Sequence, residues 1–180
     1  MSPHSESQPG GTVEAAIGEL CHVCGMCCDG TLFVTVPLRP TDSPEHLETL
    51  GPKLGRAHDA AWLNLPCAAH RDLSCAIYAE RPAQCRAFEC LLLQEVILGR
   101  RTLEAAHRII ERTRQQADTV RALLRQRGHG DETVPLSRRY QQSCAENGAE
   151  SVPDGELLLA VLQLTQLLEL SFYPPEKPAP

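Results

Sequence analysis

Cysteine placement constrains this chain more than any other feature. Eight of its nine cysteines fall between residues 21 and 90, opening with Cys21-His22-Val23-Cys24-Gly25-Met26-Cys27-Cys28 and continuing at Cys67, Cys75, Cys85 and Cys90. Soft sulfur donors this crowded repel one another as thiolates unless cations sit among them. Metal ions are therefore the first expected partners, and the rest of the chain is expected to hold the sulfurs in place.

Spacing says how the sulfurs divide. Neighbouring side chains diverge by about 100° on a helix and about 180° on a strand, so Cys27 and Cys28 are awkward ligands for one ion and natural ligands for two. Five residues of regular helix turn a side chain by about 140°, so Cys85 and Cys90 either flank a helix break or serve different centres. The expectation is two four-sulfur sites on Cys21, Cys24, Cys27, Cys28, Cys67, Cys75, Cys85 and Cys90. Each would mix the opening run with the later cysteines. Zinc and an iron–sulfur cluster both remain open: the run has the spacing of cubane ligands but no proline after the remote cysteine, and it has only one clear zinc knuckle.

Composition limits the setting. Only seven residues are aromatic (Trp 1, Tyr 3, Phe 3), so the core must rest on Leu, Ala, Val and Ile, and a metal cross-link would add rigidity to the cysteine half. Residues 1–11 are polar, without a basic start or an apolar run of secretory length, which suggests a disordered tail on a cytoplasmic protein. Thiols stay reduced there, favouring metal over disulfides. The most apolar stretch, Leu157 to Leu170, is too short to span a membrane.

The formal charge of -6 counts each cysteine as neutral. Two tetrathiolate sites would bring it to about -10. Such a chain is not expected to bind nucleic acid. The eight arginines of residues 100–127 are expected to form a solvated helix face, with Glu104 and Arg108 an i,i+4 pair.

The expected fold class is mainly α: an irregular, cysteine-rich, metal-binding N-terminal half with a short β-strand, followed by a helical C-terminal half. Residues 12–98 form the cysteine-cluster domain, 99–172 a helical region packing on it or on a second copy, and 173–180 a proline-rich tail. Thr12 to Leu20 is a short helix or turn interrupted at Gly18, and Thr31 to Val36 a strand. Ser43 and Pro44 open a helix that stops at Gly51. Trp62 anchors the local core. Arg81-Pro82 begins a helical stretch, and Thr102 caps a long amphipathic helix to about Arg127 whose apolar stripe includes Leu103, Ala106, Ile110, Thr113, Ala117, Val120 and Leu124. Asp131 to Cys144 turns helical in its later part, Asn147 to Ser151 is a loop, and Asp154 caps a last helix to about Leu170. Its leucines exceed one face, so it should be buried in the domain or in a homodimer.

The motif Cys21-x-x-Cys24-Gly25-x-Cys27-Cys28, then Pro66-Cys67, then Cys75-x-Ile77-Tyr78-x-x-Arg81-Pro82-x-x-Cys85-Arg86-x-Phe88-x-Cys90, resembles the bacterial YkgJ-like or CxxCxxCC cysteine-cluster family, whose members are described as zinc- or iron-chelating. The resemblance covers about residues 21 to 90 and implies a metal centre. Members are often labelled iron–sulfur oxidoreductases, and an iron–sulfur-dependent oxidoreductase or modifying enzyme acting on a macromolecule is the alternative reading. Residues 100–180 carry no signature of it.

Within the motif, the guanidinium groups of Arg81 and Arg86 are expected to donate N–H to sulfur and offset its charge, or else to pair with Glu80 or Glu89 at the surface. Tyr78 and Phe88 are expected to be core residues beside the site. His22 and His70, though imidazole is a normal zinc donor, are expected to be exposed or merely hydrogen-bonded, and Cys144 a small buried apolar residue. No phosphate loop, dinucleotide fingerprint, HExxH or GxSxG is present, so catalysis independent of metal is not expected.

Overall fold

The computed structural model describes residues 13–146 and 155–174. The expectations for residues 1–11, the loop at 147–151, the cap at Asp154 and residues 175–180 of the tail lie outside them. The fold is mainly α, with short sheets in the N-terminal half and long helices in the C-terminal half.

Helix α1 (Val13–Cys24) runs through Gly18 without interruption and carries the first two cysteines of the motif, one turn apart. The expectation of a break at Gly18 was wrong, because one glycine costs a helix only about 1 kcal/mol and α1 packs along other helices. Gly25 ends it in the left-handed region at φ +68, and its N–H bonds to Cys21 O at 3.2 Å. That is an αL cap. The turn it opens releases Cys27 and Cys28 from the helix.

The expected strand at Thr31–Val36 is shorter and later, at β1 (Thr35–Pro37). Residues 31–34 are instead held by a loop in which Asp29 accepts from Thr31 N at 2.9 Å. Helix α2 (Pro44–Thr49) follows, with Ser43 accepting from His46 N at 3.3 Å. A hairpin of β2 (Leu54–Ala57) and β3 (Ala60–Asn64) then completes a three-stranded antiparallel sheet with β3 at its centre. Its two-residue turn, His58-Asp59, places His58 at φ 49, a conformation tolerated by small polar and imidazole side chains. Trp62 does not anchor a core. It is half-buried on β3, lies across Gly55 on β2, and gives its indole N–H to Asn64 Oδ1 at 3.1 Å.

β4 (His70–Arg71) and β5 (Ser74–Cys75) form a separate two-stranded antiparallel ladder. A 3₁₀ turn at Tyr78–Glu80 leads to α3 (Ala83–Ala87) and, after a break at residues 88–90, to α4 (Leu91–Ile97). Helix α5 (Leu103–Gln126) is capped by Thr102, which accepts from Ala105 N at 3.2 Å. Its buried stripe is as expected except at Leu103, which is exposed in the first turn, and Leu123 joins the stripe. Helices α6 (Leu136–Glu146) and α7 (Gly155–Ser171) pack against it. Cys144 is exposed and Ser143 takes the buried position expected of it. On α7 Leu157, Ala160, Leu164 and Leu168 face inward, while Leu159, Leu162 and Leu170 are exposed, so the chain alone does not bury all of its leucines. Among the described residues no helix is long and apolar enough to cross a membrane.

Two apolar cores result. One joins Leu20 and Met26 of the cysteine half to Leu92 and to the inner faces of α5, α6 and α7. The other lies under the sheet, around Leu47, Leu63, Leu65 and Ile77. Tyr173, expected in the tail, belongs to the fold, with its hydroxyl donating to Leu32 O at 2.8 Å.

A Cβ at residue 55 would sit 2.2 Å from Trp62 Nε1, so Gly55→Ala forces the indole off the strand. Urea denaturation should show a loss of about 1–3 kcal/mol with an unchanged m-value.

Candidate metal centre

All eight cysteines of the motif region line one cavity of about 390 Å³ between the two cores. None is joined in a disulfide. Their distribution around the cavity follows from the backbone. Cys21 and Cys24 come from α1, Cys27 and Cys28 from the turn that Gly25 opens, Cys67 from the strand exit after β3, Cys75 from β5, Cys85 from α3, and Cys90 from the residue before α4.

Mutual electrostatic influence separates the sulfurs into two sets. Cys90 and Cys21 raise the Cys24 thiol, and Cys24, Cys90, the adjacent Cys28 and Cys21 all raise Cys27. Cys67, Cys75 and Cys85 raise the Cys28 thiol, and Cys67 and Cys75 raise Cys85. Cys27 and Cys28 are the point where the sets touch. Packing gives the same division: Cys24, Cys27 and Cys90 pack with the helical core, whereas Cys28, Cys67, Cys75 and Cys85 pack with the sheet core. The second set is also tied by backbone, since Cys67 N donates to Cys28 O at 2.8 Å.

Burial dominates the chemistry of these thiols. It pushes Cys21 and Cys85 up to about 11 and Cys24 and Cys28 up to about 12, with nearby thiolates adding to the shift. Cys67 and Cys90 rise as well. A buried thiolate without a cation is therefore unfavourable. Opposing this, the backbone amide of Met26 favours the Cys24 thiolate, and those of Ala69 and His70 favour Cys67. The amides of Leu92 and Leu93 do the same for Cys90, without closing a formed cap bond. Amides directed at sulfurs that burial would keep neutral suit metal thiolates, whose charge a cation offsets. The donor set thus fits a soft metal. The sulfurs ring the cavity rather than meeting at a point: among the described residues no three His, Cys, Asp or Glu side chains converge tightly enough to hold an ion.

The other expected site residues divide in role. Arg81 lies between the sets, where its charge lowers both Cys21 and Cys85, and its guanidinium carbon sits 4.0 Å over the Tyr78 ring. Arg86 is exposed at the cavity edge and donates to Arg81 O at 2.6 Å. Tyr78 is exposed rather than in the core, and stacks near His22. Phe88 is half-buried, edge-on to Phe33 with centroids 5.0 Å apart. His70 also lines the cavity, with Nε2 buried and without a hydrogen-bond partner.

Sequence reasoning missed two arginines. Arg114 and Arg121, assigned to a solvated face of α5, instead turn toward the motif. Arg114 Nη1 donates to Cys24 O at 2.6 Å, meeting a carbonyl left free at the end of α1. Arg121 Nη2 bonds Asp29 Oδ2 at 3.0 Å and Thr31 Oγ1 at 2.7 Å. Glu104 and Arg108 do form their surface pair. A shallower concavity of about 410 Å³ between α1 and α5 includes Arg114 but no sulfur.

A family model described as "CxxCxxCC: putative zinc- or iron-chelating domain" matches residues 20–120, more than half of the chain. The chain belongs to this CxxCxxCC family. The match continues past Cys90 through α4 and most of α5, so the part of α5 that carries Arg114 lies inside the family domain. Metal chelation is thus the function that family and donor chemistry share. No curated protein and no solved structure matches the chain.

Raised thiol pKa values fix the sign of a pH dependence. The metal-free native state keeps protons that the unfolded chain releases near 9.0, so its stability is whole below that value and falls as pH rises toward about 11 to 12. Thermal melts of metal-free protein should drop above pH 9.0, the ordinary thiol value. Zinc-loaded protein, whose thiolates hold no protons to lose, should not show that drop.

Proposed function

We propose that this chain is a metal chelator with two four-sulfur centres, one on Cys21, Cys24, Cys27 and Cys90 and the other on Cys28, Cys67, Cys75 and Cys85. One observation carries the reading: the adjacent residues Cys27 and Cys28 face different sulfurs and pack with different cores. With zinc, four sulfurs close each site and the role is to fix the cysteine half and hold metal, since zinc has no redox chemistry. Arg81 offsets thiolate charge shared by the two sets, and Arg86 steadies it through its carbonyl.

Iron–sulfur centres with an electron-transfer or oxidoreductase role form a second reading. What favours it is a cavity wide enough that its sulfurs surround a space rather than a point, as a polynuclear cluster requires. Nucleic acid is disfavoured as a partner, because Arg114 and Arg121 turn inward and Arg101, Arg108 and Arg125 are paired with Glu95, Glu104 and Glu132. A second copy or a protein partner on the exposed leucines of α7 belongs to the same proposal, as does a cytoplasmic location, where the thiols stay reduced.

Anaerobic purification followed by zinc, iron and sulfide analysis tests the centres. Wild-type protein should carry two centres per chain. Cys27→Ser and Cys28→Ser should each keep one, and the double variant none. A fully occupied chain with a single centre, lost in both single variants, would sink the two-centre reading. Visible absorbance with acid-labile sulfide selects iron–sulfur, and colourless zinc protein selects zinc.

A further inference from the structure

The two sulfur sets differ in how they meet solvent. Cys21 is the one motif cysteine exposed as a residue, at the rim of the cavity its thiol lines, whereas the other seven are buried or half-buried. It sits on the last turn of α1, where a change of side-chain rotamer moves the sulfur without moving the helix. Beside it, His22 and Tyr78 are exposed and form part of the cavity lining. Arg81 stands at the same place, and its Nε is buried with no hydrogen-bond partner. An unsatisfied buried donor on a cation beside Cys21 is a receptor for an anion.

In the Cys28 set every cysteine is buried or half-buried. Three of them, Cys28, Cys67 and Cys75, are tied through the backbone by the Cys67 N to Cys28 O bond, the bond from His70 N to Cys67 O at 3.0 Å, and the β4–β5 ladder that pairs His70 with Cys75.

Resting on the two-centre reading, we propose that the Cys21 set is an exchange port for its metal, and that a small anionic thiol is the exchange partner. Cys21 is the sulfur that leaves, Arg81 receives the incoming thiolate, and the Cys28 set is the retained centre. The metal in the port is cargo. In the exchange the incoming thiol gives up its proton and bonds the ion through sulfur, while Cys21 Sγ releases the ion and takes up a proton from water. One metal–sulfur bond forms as one breaks, and no electron moves. Arg81 contributes as a positioning cation: it attracts the thiolate and accepts no proton.

The test uses the full chain loaded with zinc, its stoichiometry measured first. Brief iodoacetamide treatment and peptide mapping should alkylate Cys21 before any other motif cysteine, with one zinc leaving. Cys144, exposed and distant in sequence, serves as the reaction control. With glutathione as the thiol and a chromophoric chelator as trap, one zinc should leave in a fast phase that quickens with glutathione, and the other in a slow phase. Arg81→Gln, compared per zinc bound, should slow the fast phase roughly tenfold, with Arg81→Lys restoring most of the rate. First alkylation at any other motif cysteine overturns the port, as does simultaneous release of both ions or an unchanged fast phase in Arg81→Gln. The labelling order in wild-type protein decides the matter if the variants do not fold. A chain that takes up only one zinc overturns the two-centre reading itself, whereas one that takes up two and releases them together overturns the port alone.

Discussion

Two adjacent residues cannot aim their side chains at one point, and the organisation of the cysteine half follows from that constraint at Cys27 and Cys28. One sulfur goes to the wall built by helices and the other to the wall built by the sheet. Two cores must then lie side by side with a cavity between them, and each must supply the remaining sulfurs from its own elements. The short, irregular pieces between residues 65 and 91 serve this purpose. A regular helix there would carry Cys85 and Cys90 on one rod, and the break at residues 88–90 sends them to opposite walls.

Charge explains why the helical half is needed. Thiols this deeply enclosed resist ionisation, so the folded chain favours either neutral thiols or thiolates matched by cations. Helix α5 supports the run that carries them. Arg114 satisfies the carbonyl of Cys24 and Arg121 fixes Asp29 and Thr31, so the turn between α1 and β1 is gripped at both ends by one rigid helix. A partly buried guanidinium is costly unless its N–H groups find acceptors, and both of these do. The family match that continues through residue 120 is consistent with α5 being part of the metal-binding unit.

The local code of this chain was legible where one residue decides a conformation. Ser43 and Thr102 set helix starts by capping chemistry, and the 3.6-residue stripe of α5 marked its inner face almost residue for residue. That Cys27 and Cys28 point apart was legible too, because it rests on side-chain direction alone. What tertiary packing decides was not. The hairpin of β2 and β3 carries no Asn-Gly or Asp-Gly turn, and Gly18 stays helical through packing of α1 on α5. Arg114 and Arg121 look like any solvated arginine until the turn they grip is brought alongside. Tyr78 was misplaced for a related reason: its ring lies against the Arg81 guanidinium at the cavity edge, and motif membership does not reveal on which side of that edge a residue falls.

The two walls are also unequal in stiffness. Around the sheet-side sulfurs, hydrogen bonds link three separate stretches of backbone, so moving one sulfur means breaking the ladder that holds its neighbours. On the helical side Cys21 projects from the end of a single helix, and the αL cap at Gly25 constrains the backbone around it but not its side chain. One set thus rests on side-chain packing at Cys24, Cys27 and Cys90, whereas backbone ties join Cys28, Cys67 and Cys75 in the other. Donor atoms alone would make the two sets equivalent. Their difference arises from the elements on which the sulfurs are carried.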